Sequence, residues 1–217
     1  MSDFLIPYEA LATTGAFEMT VVAPERRVIP LANAGFRDGG VDLVPHYSLD
    51  EYDRAVGTTP ALIVIPFLPA FAAGHERALV PWIRKHADAG ALVVSICAGS
   101  EVLAATGLVD GARATTHPSF FARLERAYPG VTWVHDVRYV ESARAISSGA
   151  IASGMDATLA AIRRLLGRAE AERVARVMGY RHLRFLDDPA YPTAQAWGAF
   201  LGAAVSPWLD ELDVLVH

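Results

Sequence analysis

The sequence predicts an α/β fold in which a mainly parallel sheet is flanked by helices, and three observations support it. Short apolar runs alternate with amphipathic stretches, the order that parallel strands joined by crossover helices produce. Two runs, "ALIVIP" (61–66) and "ALVVSI" (91–96), are almost wholly apolar, as expected of strands buried on both faces. Hydrophobic residues make up 53% of the chain and charged residues 20%, which fits a folded domain rather than a disordered chain.

The elements in the first half of the chain follow from β-branched runs and helical spacing. "EMTVVAP" (18–24) and "VDLVPHY" (41–47) are predicted strands. A helix over 75–90 is predicted between the two buried strands, because its apolar residues recur at helical spacing and Gly90 ends it. A further helix, over 99–107, begins directly after the second of those strands.

Capping and turn residues place the elements of the second half. Pro118 suits the first turn of a helix over 118–130. Ser153, with Asp156 three residues later, predicts a capping box at the start of a helix over 153–167. The other predicted elements are three short strands over 131–136, 137–142 and 144–150, and a helix over 169–180.

The domain organisation is predicted to be simple. Residues 1–180 contain neither a repeat nor a linker that would divide them, so we expect one α/β domain there. Residues 181–217 lose the alternation of strand and helix. We expect them to form a tail that packs on the domain or on a partner chain.

Composition argues against several classes of function. Lysine and arginine are scattered and the net charge is −5, so no nucleic-acid-binding surface is predicted. No stretch reaches the ~20 apolar residues of a membrane-spanning helix. No signal peptide is recognisable either, so we expect a cytoplasmic protein. The six histidines other than His117 lack metal-ligand spacing and are expected at the surface, so neither a metal nor an organic cofactor is predicted.

The single cysteine, Cys97, lies between a predicted buried strand and the helix over 99–107. Ligands in open α/β sheets bind outside the carboxyl ends of the strands, so this position opens on a crevice. A helix N-terminus favours the thiolate, and the small residues Ala98, Gly99 and Ser100 allow the sharp turn of a nucleophile elbow. The alternative is a buried structural cysteine, since a free thiol behaves as a small hydrophobe.

Three segments resemble the PfpI/ThiJ superfamily, the class I glutamine-amidotransferase-like proteins. They are "SDFLIPYEALATTGAFEMTVVAP" (2–24), "SICAGSEVLAATGLVDGARATTH" (95–117) and "VRYVESARAISSGAIASGMDATLAAIRRLLG" (137–167). The resemblance implies a flavodoxin-like three-layer sandwich with a nucleophile elbow. Its nearest branches are the isocyanide hydratases and the ligand-sensing N-domains of AraC-type regulators. Members are commonly dimers, which implies a possible homodimer here.

The same resemblance implies roles for individual residues. Cys97 stands at the nucleophile position. Asp3 stands where the family places an acid, which could hydrogen-bond the thiolate and deliver a proton, although Asp3 also suits the cap of a first helix. His117 stands where many relatives have a histidine that could act as a base or orient a substrate, although a structural role is equally open.

The turn after the third apolar strand departs from the family pattern. The family usually has two glycines there, whose backbone N–H groups help to form an oxyanion hole. Here "VIPFLPAF" (64–71) carries Phe67 and Leu68 instead. A backbone N–H of Phe67 or Leu68 could still act together with that of Ala98, but the bulky side chains predict a narrow, apolar pocket.

A second departure is that the family's first strand, normally central, is absent ahead of Asp3. Losing it would leave a ladder of buried backbone groups unpaired. The gene product could begin upstream, the segment "LDVLVH" (212–217) could fill the gap, or a partner chain could supply the strand by swapping. We expect a strand at 212–217 beside 92–96 or 20–23.

These features predict a cysteine-dependent hydrolase or hydratase that acts on a small electrophilic molecule such as a carbonyl, amide or isocyanide. Cys97 would attack, Asp3 would move the proton and backbone N–H groups would hold the developing anion. Two alternatives stay open. One is a redox or ligand sensor of the same fold without a DNA-binding module, and the other is a catalytically lapsed interaction protein.

Overall fold

The computed structural model describes residues 2–33, 36–68 and 76–180. The predicted tail over 181–217, with the candidate strand at 212–217, lies outside the described residues. In the described part of the chain, no helix combines the length and the apolar character that crossing a membrane requires.

Ten strands and seven helices are described. The strands are β1 (Val22–Ala23), β2 (Ile29–Asn33), β3 (Phe36–Leu43), β4 (Tyr47–Ser48), β5 (Leu62–Ile65), β6 (Leu92–Ile96), β7 (Arg113–Ala114), β8 (Thr132–Trp133), β9 (Tyr139–Glu141) and β10 (Ala145–Ser148). The helices are α1 (Ser2–Ala12), α2 (Leu49–Ala55), α3 (Glu76–Asp88), α4 (Gly99–Ala105), α5 (Phe121–Ala127), α6 (Ile151–Leu166) and α7 (Arg168–Val177), with a 3₁₀ turn at Pro118–Phe120.

The central sheet has the strand order β5-β6-β10-β9, in which only β9 is antiparallel to its neighbour. All five residues of β6 are buried. The apolar character of that run therefore follows from its place, with strands on both sides and helices above and below. Because β5, β6 and β10 are parallel, their carboxyl ends, at Ile65, Ile96 and Ser148, meet at one edge of the sheet.

Helices pack on this sheet as a flavodoxin-like three-layer sandwich. Helix α6 contacts β6, β9 and β10, and α1 and α7 pack on α6. Helix α4 contacts β5 and β6, and α3 packs on α4. A methyl group on Gly154 of α6 would lie 2.9 Å from Cγ2 of Ile96, so this helix approaches β6 at the closest distance that a glycine allows.

The predicted strands before residue 50 are only partly correct. In the run 18–24 only Val22–Ala23 forms a strand, which pairs in parallel with β4. The run 41–47 was predicted as one strand, but its first residues end β3, which forms an antiparallel hairpin with β2. A β-branched run indicates extended backbone but does not say which strand will pair with it, and this is why the prediction was wrong.

The predicted capping box of α6 is also wrong. The helix begins at Ile151, and Ser153 lies inside its first turn, where its Oγ accepts a hydrogen bond from the Ala150 backbone N–H at 2.7 Å. Asp156 is buried instead of capping the helix, and it accepts a hydrogen bond of 2.5 Å from the Tyr180 hydroxyl.

Two leucines of α6 test how much this helix contributes to the core. Leu159 is completely buried, whereas Leu165 is 37% exposed. We expect Leu159→Ala to lower the free energy of unfolding by about 2–5 kcal/mol, because it removes buried methyl groups and leaves a cavity. Leu165→Ala should lower it by less than about 1 kcal/mol. Urea unfolding followed by circular dichroism measures both, and equal losses would contradict the packing described here.

Candidate active site

The thiol-bearing residue lies at a sharp turn between β6 and α4. Cys97 follows directly on the last residue of β6 and has a φ of 57°, in the left-handed region. For a residue with a Cβ this conformation costs about 1–2 kcal/mol. Strained backbone of this kind is retained where the surroundings hold it in place, and it clusters at functional sites.

The elbow lies so close to the end of β5 that only glycine fits at position 99. A methyl group on Gly99 would lie 2.4 Å from the carbonyl oxygen of Ile65 and 2.7 Å from that of Pro66. Both neighbours are backbone atoms, which cannot move aside as a side chain can. The small residues after the cysteine therefore have the role that the sequence predicted for them, and at Gly99 the reason is this close contact.

Hydrogen bonds hold both peptide groups of Cys97. Its N–H donates to the carbonyl oxygen of Ser148 at 3.2 Å. Its carbonyl oxygen accepts from the Ser100 hydroxyl at 3.0 Å and lies 3.5 Å from the Thr116 hydroxyl. The hydroxyls of Ser100 and Thr116 are joined to each other at 2.7 Å. The elbow is thus tied to the end of β10 and to the segment that follows β7.

Asp3 lies within the first turn of α1 and is brought to the cysteine. It is 8% exposed, and its carboxyl group interacts with the Cys97 thiol and with the Phe67 backbone N–H. Burial raises the pKa of the Asp3 carboxyl, while the hydrogen bonds from Phe67 and Cys97 act in the opposite direction. Its Oδ1 atom has no hydrogen-bond partner within the described part of the chain.

The pKa of the Cys97 thiol is raised, not lowered as the sequence predicted. Burial is the largest cause and the negative charge of Asp3 is the second, whereas the hydrogen bond from the Ala98 backbone N–H lowers this pKa. The residue is 9% exposed. The prediction relied on the dipole of the following helix, but α4 is only seven residues long, and the prediction took no account of the burial that raises this pKa.

His117 has a local structural contact. Its backbone precedes the 3₁₀ turn, and its Nδ1 accepts a hydrogen bond from the Ser119 N–H at 3.3 Å. Burial lowers the pKa of the imidazole, which favours the neutral ring. The imidazole ring packs edge to face against the Phe120 ring, with 6.3 Å between the ring centroids. The Phe120 ring packs in the same way against Phe67, at a centroid distance of 5.9 Å. These three rings, His117, Phe120 and Phe67, form an aromatic cluster that connects the histidine with the turn after β5.

The three backbone N–H groups predicted as oxyanion donors, those of Phe67, Leu68 and Ala98, differ in their surroundings. The Phe67 N–H already donates to Asp3, so it does not face an empty position. The Ala98 N–H is directed at the Cys97 sulfur. Leu68 is half-buried and its side chain packs against the core. That the Ala98 and Leu68 N–H groups act together as anion donors stays a prediction.

A cleft of 350 Å³ is lined by residues next to the elbow segment in sequence and contact, but neither Cys97 nor Asp3 forms part of its wall. Thr116, whose hydroxyl reaches the Cys97 carbonyl oxygen, forms part of its wall. The sequence indicated Ser100 only as a small residue of the turn and did not indicate Thr116, because the two are separated by 16 residues and only the fold brings their hydroxyls together. The other lining residues are Thr115, Pro118, Phe121, Ala122, Glu125, His135, Asp136, Val137 and Gly149.

The expectation that the remaining histidines are surface residues is wrong for His86. This residue is 4% exposed, and its Nε2 lies 3.0 Å from Oδ1 of Asp53, which also accepts from Trp82 Nε1 at 3.2 Å. His86 lies on the inner face of α3, where Tyr52 and Trp82 surround it. Over residues 2–33, 36–68 and 76–180, no group of three or more histidine, cysteine or acidic side chains is arranged to hold a metal ion.

Comparison with known proteins gives consistent matches. The sequence matches the DJ-1/PfpI family over residues 1–164. An isonitrile hydratase of Pseudomonas putida is 28% identical over 181 residues, a match that spans 82% of this chain and 72% of the relative. The structure of a DJ-1 superfamily protein from Salmonella typhimurium superposes with a TM-score of 0.67 at 24% identity, covering 83% of this chain and 92% of the other. An AraC family transcriptional regulator from Pseudomonas putida gives a TM-score of 0.65 at 19% identity, covering 82% and 92%.

The close contact at Gly99 generates a stability prediction with a matched control. Gly99→Ala should lower the free energy of unfolding by about 1–3 kcal/mol or more, since two backbone carbonyls must move. Gly130→Ala serves as the control, because its nearest neighbour would be a side-chain oxygen at 3.9 Å. That variant should stay within about 0.5 kcal/mol of the wild type. If Gly99→Ala is tolerated equally well in urea unfolding, the elbow does not lie against β5 as described.

Proposed function

The chain belongs to the DJ-1/PfpI family, and from this premise we propose that it is a cysteine-dependent hydratase or hydrolase of small, uncharged electrophiles. The observation that carries the proposal is the buried contact between Asp3 and Cys97 at the carboxyl edge of the sheet. An acid and a thiol in contact at a strained elbow form a nucleophile with its own proton carrier.

Isonitriles are the substrate class that we propose first. The relative from Pseudomonas putida is named an isonitrile hydratase, and it matches most of this chain. An isonitrile is small and uncharged, and its terminal carbon is electrophilic. The aromatic rings of Phe67 and Phe120 near the elbow suit such an apolar molecule better than a charged one.

We propose that the reaction begins with proton transfer inside the pair. The Cys97 thiol gives its proton to Asp3, and the resulting thiolate attacks the terminal carbon of the isonitrile. Asp3 then returns the proton to that same carbon, which yields a thioimidate bound to Cys97. Water adds to the thioimidate carbon, the carbon–sulfur bond breaks, and an N-substituted formamide leaves while the thiol is restored. The net change is the addition of one water molecule.

The raised pKa values are compatible with this order of events. A carboxyl whose pKa is raised by burial can hold a proton and release it at the reacting carbon. The thiolate exists only while Asp3 is protonated, because the charge of Asp3 disfavours a second negative charge on the sulfur. The reactive anion would thus form at the moment of attack and not in the resting protein.

Ala98, Leu68 and His117 complete the proposed site. The N–H groups of Ala98 and Leu68 would hold the oxygen anion that develops on a carbonyl or amide substrate. For His117 we favour orienting a substrate over proton abstraction, because its Nδ1 already accepts the Ser119 N–H and the ring is held neutral.

One observation favours a catalytically lapsed interaction protein as the second candidate. The Cys97 thiol is buried and its pKa is raised, and inert structural cysteines have these same properties. The same features disfavour a peroxide sensor, since oxidation requires an accessible thiolate. In a lapsed protein the elbow would persist as part of the core, and no electrophile would be turned over.

Turnover measurements separate the two candidates. We expect the wild type to convert small aliphatic or aromatic isonitriles to formamides, observed by proton nuclear magnetic resonance. Cys97→Ser should abolish this conversion. Asp3→Asn should lower kcat/KM by about 10²–10⁴-fold, since the proton carrier is lost.

Asp156→Asn is the matched control for this experiment. Asp156 is also a buried aspartate with a raised pKa, but its partners are Tyr180 and Arg138, and it is not among the groups that shift the pKa of the thiol. The control should keep activity within a few-fold of the wild type. Absence of turnover with isonitriles, amides and esters, together with a thiol that iodoacetamide does not alkylate in the folded protein, would favour the lapsed protein.

A further inference from the structure

The Cys97–Ala98 peptide group links the buried hydroxyls to the sulfur. Its carbonyl oxygen accepts from Ser100 at 3.0 Å, and its N–H is the Ala98 amide that donates to the Cys97 sulfur. A peptide unit is planar, and in the trans form its C=O and N–H point in opposite directions. Whatever fixes the direction of the carbonyl therefore fixes the direction of the amide that faces the sulfur.

The Thr116 hydroxyl takes part in the same group of hydrogen bonds as Ser100 and the Cys97 carbonyl. It lies 2.7 Å from the hydroxyl of Ser100 and 3.5 Å from the Cys97 carbonyl oxygen. Ser100 is completely buried and Thr116 is 1% exposed, so water does not compete for these hydrogen bonds. Each hydroxyl carries a single proton, so Ser100 can donate to the Thr116 hydroxyl while Thr116 donates to the Cys97 carbonyl oxygen. Hydrogen bonds in such a buried chain strengthen one another.

Resting on the proposed function, we infer that Thr116 is a positioning residue for the nucleophile. Together with Ser100, its hydroxyl holds the Cys97–Ala98 peptide plane in the orientation that directs the Ala98 N–H at the Cys97 sulfur. The left-handed φ of Cys97 makes such a restraint necessary, because that conformation is not preferred by a residue with a Cβ. Thr116 also immediately precedes His117, so the same restraint couples the elbow to the segment that carries the histidine.

The experiment compares Thr116→Val, Thr116→Ser and Thr158→Val. Valine keeps the shape of threonine without the hydroxyl, and serine restores the hydroxyl. Thr158 is the matched control: it is 1% exposed, and its hydroxyl donates to the Gly154 carbonyl oxygen at 2.7 Å within α6. Because Cys97 is the single cysteine of the chain, every signal from a thiol reports on the elbow alone.

The first readout is the rate of alkylation by iodoacetamide from about pH 6 to about pH 9. We expect Thr116→Val to lower the rate about three- to tenfold across this range. Without the Thr116 hydroxyl the Ala98 N–H is no longer held toward the sulfur, and the thiolate loses that one hydrogen bond. Thr116→Ser should recover the wild-type rate within about twofold, and Thr158→Val should keep it, although both valine variants lose stability. Coincident rates for the two valine variants would overturn the inference.

The second readout does not depend on reactivity. The S–H stretching band of Cys97 in the Raman spectrum responds to the hydrogen bonds at the sulfur. We expect this band to shift in Thr116→Val and not in Thr158→Val, and an unchanged band in Thr116→Val would overturn the inference. The proposed function fails separately, when Asp3→Asn leaves turnover unchanged while the Thr116→Val band still shifts.

Discussion

The Asp3 carboxyl and the Cys97 thiol are both almost fully buried, and a negative charge on the carboxyl disfavours a second negative charge on the sulfur. This constraint governs the rest of the site. One backbone N–H, from Phe67, is directed at the carboxyl, and another, from Ala98, is directed at the sulfur. Each partner thus has one backbone donor, and a charge on the carboxyl raises the pKa of the thiol.

The fold brings this pair together at the edge of the sheet where the carboxyl ends of the parallel strands meet. The ends of β5, β6 and β10 contribute the turn with Phe67, the elbow with Cys97 and the carbonyl of Ser148 that holds the elbow. Helix α1 packs on α6 and supplies Asp3 from above the sheet edge. Gly99 then allows the elbow to lie against the end of β5.

The sequence predicted the architecture, the hinge position of Cys97 and its proximity to Asp3, because strand-to-helix junctions and family motifs are local signals. It did not predict the raised thiol pKa, since burial depends on residues far away in the chain, such as Asp3 itself. Asp156 was misread for the same reason: its spacing from Ser153 resembles a cap, but Tyr180 binds its carboxylate in the folded chain. The roles of Ser100 and Thr116 likewise arise only in three dimensions.

The most direct test of this charge constraint is the infrared spectrum of the Asp3 carboxyl, recorded as the difference between wild type and Asp3→Asn over a pH titration. Burial raises the pKa of this carboxyl, so its protonated form is retained as the pH rises past the ordinary aspartate value. The account predicts a protonated-carboxyl band in the difference spectrum that persists to higher pH than the ordinary aspartate pKa allows. A band that disappears at the ordinary aspartate pKa would contradict the account.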